Sequence, residues 1–113
     1  MHKTLIVFVI GCAPMVPLPP TGPHVGDEPA EVPHPPPPAR AEILPPQPKD
    51  DAVWVDGHWS WTGDQYAWVP GGWQKPRPGF YYAPANTVRR RNGELLYYEG
   101  HWHAESSAAK GGP

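Results

Sequence analysis

The sequence predicts an all-β fold: a small four-stranded antiparallel meander of aromatic-rich repeats, preceded by a disordered proline-rich segment. Three observations predict it. The frame aromatic-x-x-Gly-x-Trp occurs as Trp54–Trp59, Trp68–Trp73 and Tyr97–Trp102. Val- and aromatic-rich runs alternate with turn residues over 51–104. Fourteen of the 19 prolines fall between Ala13 and Asp50, whereas all six tryptophans fall between Trp54 and Trp102. A chain of 113 residues that divides in this way allows one domain, whose foldable part of roughly 55 residues makes a marginal hydrophobic core.

Residues 1–11 read as a signal peptide: a basic start with Lys3, then the apolar run Leu5–Ile10. That run is too short to cross a bilayer, which takes about 20 residues. Val9-Ile10-Gly11-Cys12 resembles the lipobox of bacterial lipoproteins. The resemblance implies cleavage before Cys12 and lipidation of its thiol and new amine, a membrane anchor of palmitate type that two or more acyl chains make stable. The alternative is an ordinary cleaved signal with an incidental cysteine. Cys12 is the one cysteine, so its lipidation excludes disulfides and thiol chemistry. Ala13 after it, where Asp would favour inner-membrane retention, points to the outer membrane of a bacterial cell envelope.

Residues 12–50 are the tether. Proline supplies no backbone donor and fixes φ, so this stretch forms neither helix nor central strand. An extended polyproline spacer is expected, and its 38 residues after Cys12 reach at most about 120 Å at ~3.1 Å each. The same composition also fits a docking ligand for a proline-recognition module.

The repeat domain spans 51–104. Strands are expected at 52–61, 66–74, 80–91 and 94–103. Thr62–Gln65 turns between the first two, Lys75–Gly79 loops to the third, and Asn92-Gly93 makes a type I′ hairpin turn before the fourth. Aromatic and Trp five apart fall on opposite faces of a regular strand. A one-residue bulge at Gly57, Gly71 and Gly100, with positive φ, returns Trp54, Trp59, Trp61, Tyr66, Trp68, Trp73, Tyr97 and Trp102 to one face. The alternative makes Asp56-Gly57 and Pro70-Gly71 hairpin tips. Stepping 14 residues beyond Gly71 reaches Ala85, in a third, decayed copy that keeps Tyr82 and Pro84 but has Ala85 and Thr87 for Gly and Trp.

The three Trp-containing frames, with Trp68-Val69-Pro70-Gly71 followed by Lys75-Pro76-Arg77-Pro78-Gly79, resemble the WXXGXW (YXWGXW) repeat proteins of Gram-negative bacteria. The similarity covers about residues 53–103. It implies an exported, often lipid-anchored envelope protein, and supplies no biochemical activity.

Function is read from the side chains. A single sheet leaves rings uncovered, and exposed Trp and Tyr suit stacking on sugar rings. Trp61, Tyr81 and Tyr98 are the candidates, with peptidoglycan or surface polysaccharide as ligand and a structural or adhesive role. The alternative is metal binding: His101 and His103, two apart on a strand, point the same way about 7 Å apart. His58 is the third candidate ligand, with Asp56 or Glu99 beside it. No cofactor motif is present. Residues 51–105, with six acidic and five basic residues, lack the footprint of a nucleic-acid binder. Arg89–Arg91 reads as a solvated strand end, or else as a contact for anionic headgroups. No nucleophile elbow, paired carboxylates or phosphate loop appears, so no enzyme is expected. The tail, 105–113, is small and polar and expected to be disordered. Oligomeric state is left open.

Overall fold

A computed structural model describes residues 16–106. The signal peptide and Cys12 therefore lie outside the described residues, as does most of the tail. Among the described residues the fold is all-β, with nine short strands: β1 (Ala30–Val32), β2 (Val53–Val55), β3 (His58–Trp61), β4 (Tyr66–Val69), β5 (Gly72–Gln74), β6 (Phe80–Ala83), β7 (Asn86–Arg89), β8 (Leu95–Tyr98) and β9 (His101–Ala104). Among the described residues no helix is long and apolar enough to cross a membrane.

The four expected strands are each cut in two. β2 pairs with β5 and β3 with β4, all antiparallel, so the first hairpin is interrupted at Asp56-Gly57 on one side and Pro70-Gly71 on the other. The second hairpin repeats the plan: β6 pairs with β9 and β7 with β8, interrupted at Pro84-Ala85 and Glu99-Gly100. Pro70 and Pro84 account for the breaks, since proline has no N–H to donate to a ladder. The all-β, antiparallel reading holds, and the strands are arranged as two self-paired hairpins, with no pairing between 66–74 and 80–91.

The turns are largely where expected. Thr62 N donates to Gln65 O at 2.9 Å, and Gly63 carries φ of 111°. The second turn differs from type I′. Gly93 N donates to Arg90 O at 2.9 Å and Gly93 has φ of 92°, but Asn92 stays at negative φ. The turn is therefore Arg90–Gly93, with a left-handed glycine closing it.

The repeat glycines correct a second expectation. Gly57, Gly71 and Gly100 have no positive φ, so no left-handed bulge redirects the rings. Their role is close approach. A Cβ on Gly71 would lie 2.6 Å from Trp54 Cζ2 and 2.8 Å from Gly57 N, and one on Gly57 2.5 Å from Trp68 Cζ2 and 2.9 Å from Gly71 N. The first tryptophan of each copy thus roofs the glycine of the other. Cross-strand pairing then gathers the rings edge to face: Trp54 on Trp73 at 5.4 Å, Trp59 on Trp68 at 5.3 Å, Trp61 on Tyr66 at 4.9 Å. Tyr82 on Trp102 at 5.6 Å is the second hairpin's counterpart of the first pair, with Gly100 under Tyr82.

The proline-rich stretch has little regular structure, as its composition dictates, but it is laid along the hairpins instead of standing away from them. Trp54 N donates to Pro17 O and Tyr82 N to Pro20 O, each at 2.8 Å. β1 adds to the outer edge of β8, giving the order β1-β8-β7. Val32 of β1 is buried with Leu95 and Tyr97, and Trp61, Tyr66 and Ala85 pack around them. This segment supplies the cover that two narrow hairpins lack, so the free-spacer expectation is revised for the residues from Pro17 onward.

Candidate metal centre

Pairing of β6 with β9 sets His101 and His103 side by side on the last strand, opposite Ala83 and Tyr81. Their ring centroids are 4.2 Å apart. His103 is buried and stacks on Tyr81, with centroids 5.4 Å apart and planes inclined by 12°. The structure brings these two imidazoles together on β9.

Their partners come from the proline-rich segment. Asp27 Oδ2 lies 2.8 Å from His103 Nε2, 2.9 Å from His101 Nε2 and 2.6 Å from His24 Nδ1. His24 is held from behind: its Nε2 lies 2.6 Å from the Pro84 carbonyl and its ring rests against Tyr98, centroids 5.2 Å apart. Backbone contacts at the same place fix the segment, with Gly22 N donating to Tyr82 O at 3.2 Å and Tyr81 Oη to Pro23 O at 2.5 Å. Burial would raise the Asp27 carboxyl, but hydrogen bonds from His103, His24 and His101 outweigh it and hold it at about 2. The carboxylate is ionised at neutral pH.

One donor atom from each of His24, Asp27, His101 and His103 lies within 4.8 Å of the others. Three imidazoles and a carboxylate form a set that zinc, copper and nickel accept. Tetrahedral coordination, with bonds of roughly 2.0–2.2 Å, asks the present N···O contacts to open by a few tenths of an ångström. Pro84 O restrains the outer nitrogen of His24, which fixes the orientation of the ring.

The other nominated ligands sit elsewhere. His58 Nε2 lies 2.5 Å from Glu99 Oε1, and Asp56 Oδ1 accepts from Trp54 Nε1 at 2.7 Å. His58, Asp56 and Glu99 are therefore corrected out of the cluster: they fasten hairpins and rings. Ser60 also donates to Glu99, and Tyr97 Oη donates to Trp59 O at 2.5 Å. That phenol is pushed up by burial and by Glu99. Sequence reasoning missed His24 and Asp27. Their spacing of three gave no distinctive signal, since Glu28 and Glu31, and Glu31 and His34, share it in the same segment.

Of the rings nominated for glycan contact, Tyr81 is buried, which corrects its assignment as exposed. Trp61 and Tyr98 are half-buried, the first against the Val32 cluster and the second against His24. Arg89–Arg91 are exposed, with Arg90 Nη1 3.7 Å from Glu94.

The described residues thus form a small all-β fold of two broken aromatic hairpins with a histidine–aspartate cluster beside β9. Residues 53–74 match the WXXGXW repeat family (2 copies), so the first hairpin is a pair of WXXGXW repeats. No curated protein and no solved structure matches the chain.

Proposed function

We propose that this chain is an exported, lipid-anchored envelope protein that binds a divalent transition-metal ion through His24, Asp27, His101 and His103. The observation that carries the reading is the convergence of three imidazole nitrogens on one carboxylate oxygen. A carboxylate alone does not require three such neighbours, and the set combines hard and borderline donors at coordinating separation. His101 and His103 lie on a paired strand and His24 is braced by Pro84, which limits the reorganisation that binding demands. Support for the anchor is the lipobox-like Val9-Ile10-Gly11-Cys12. The polysaccharide reading retains Trp61 and Tyr98 as half-buried rings but has lost Tyr81.

Calorimetric titration of chelator-treated full-length chain with zinc, nickel and copper tests the centre. One saturable site is expected, lost in the His101→Ala/His103→Ala variant and kept in His58→Ala. Absence of heat for all three ions, with an unchanged melting temperature, overturns it. Labelling with clickable palmitate tests the anchor: incorporation is expected in the wild type and none in Cys12→Ala.

A further inference from the structure

The interruption of the first hairpin leaves two backbone donors without ladder partners, and both point at one side chain. Glu42 accepts from Gly57 N at 3.2 Å through Oε1, and from Gly71 N at 3.0 Å through Oε1 and 3.1 Å through Oε2. Two indoles flank this contact on the same stretch of chain. Trp59 Nε1 donates to Pro38 O at 3.0 Å and Trp73 Nε1 to Pro45 O at 2.8 Å. Between them the Arg40 guanidinium lies over Trp59 at 4.8 Å and Trp68 at 5.8 Å.

The contacts are distributed by repeat. Each WXXGXW copy gives one glycine N–H to the carboxylate and the N–H of its second tryptophan to a proline carbonyl. We infer that the paired WXXGXW repeats form a recognition site for an extended, proline-flanked acidic peptide, filled here by the chain's own residues 38–45. The inference is independent of the metal reading.

Chemistry accounts for each element of the ligand. A segment rich in proline is already extended, loses little entropy on docking and turns its carbonyls outward as acceptors. Indole N–H is a donor only, so a carbonyl flanked by proline is its natural partner. Two convergent amides form an anion-binding concavity of the kind successive backbone N–H groups make, and a carboxylate fills it with charge-assisted bonds. Glycine at both positions lets those amides converge, because a Cβ on either would meet the opposing backbone nitrogen below 3.0 Å. A guanidinium over indole faces adds cation–π attraction.

The second hairpin provides an internal contrast. It has the same break, but Ala85 stands in one glycine slot and Thr87 in the matching tryptophan slot. Gly100 N is met at 3.1 Å by Glu99, its own neighbour. Only the intact pair of copies offers two amides and two indoles to an incoming strand.

The test uses full-length chain and the amide protons of Gly57 and Gly71. In the wild type both resonances are expected at the positions of amides bonded to a carboxylate, and to shift together in Glu42→Gln. In the Arg40→Ala/Glu42→Gln chain, a synthetic peptide of residues 36–47 is expected to restore both shifts saturably. The same peptide with Gln for Glu is expected to bind about tenfold more weakly, the worth of a hydrogen-bonded charge. Three results overturn the inference: amides that do not shift in Glu42→Gln, no saturable response to the peptide, or equal binding of the two peptides. Shifting amides with no peptide response would reduce the contact to an internal clasp.

Discussion

Gly71 and Gly72 are neighbours with opposite tolerances. A Cβ on Gly72 meets nothing within 4 Å, whereas one on Gly71 meets Gly57 N and Val55 O at 2.8 Å. Backbone atoms in a paired hairpin have little freedom to retreat. Gly71→Ala is therefore expected to cost about 1–3 kcal/mol or more by overpacking, and Gly72→Ala less than about 0.5 kcal/mol, in urea midpoints at constant m-value. Equal losses at the two positions would refute the close-approach account. Asp27 makes a pH prediction at the same scale. Its folded value of about 2 lies below the ordinary 3.8, so its stabilisation is present above pH 3.8 and is lost as pH falls through about 2. Side-chain exposure of 17% leaves some screening, so the contribution is on the order of 1–2 kcal/mol. Acid unfolding of Asp27→Asn, followed from pH 5 to pH 1.5, is expected to show a flatter limb than the wild type.

At the scale of elements, what the sequence discloses follows from how local the determining physics is. Thr62–Gln65 and Asn92-Gly93 mark turns because glycine and small polar residues there have no other economical conformation, and both hairpins followed from them. His101 and His103 were read as a pair because a strand has a period of two. The strand breaks at Pro70 and Pro84 are equally local, since proline lacks the N–H that a ladder needs. β1 was illegible: Ala30–Val32 lies between prolines and has too few apolar residues to signal a strand. It exists because Val32 finds Leu95 and Tyr97. Val32→Ala deletes two buried methyl equivalents, expected to cost about 1–2 kcal/mol. Hydrogen exchange should quicken along the β1–β8 edge first, and unchanged exchange there would contradict the pairing.

Over the whole molecule, the ligands of the proposed centre are split between a proline-rich segment and the last strand, with His24 and Asp27 over 70 residues from His101 and His103. No spacing rule reaches across such an interval, which is why half the candidate site could not be read from the chain. The split has a thermodynamic corollary. A metal bound by both halves binds only the docked state, so it stabilises docking and folding together, by ~2.7 kcal/mol at a free concentration 100 times Kd. Zinc is expected to raise the melting temperature of the wild type and to slow proteolysis within residues 22–35. Both effects should reverse with chelator and be missing in His24→Ala. Stabilisation without protection of that segment would place the ion elsewhere.

Were Cys12 lipidated, as proposed, the hydrogen bond from Trp54 N to the Pro17 carbonyl would set how far the hairpins could travel from the anchor. Only the five-residue step from 12 to 17 is left between them, about 18 Å when fully stretched. A chain moored that closely would graze the headgroups, and its indoles and histidines would sample the ions and polymers condensed at a bilayer surface instead of those in bulk solvent.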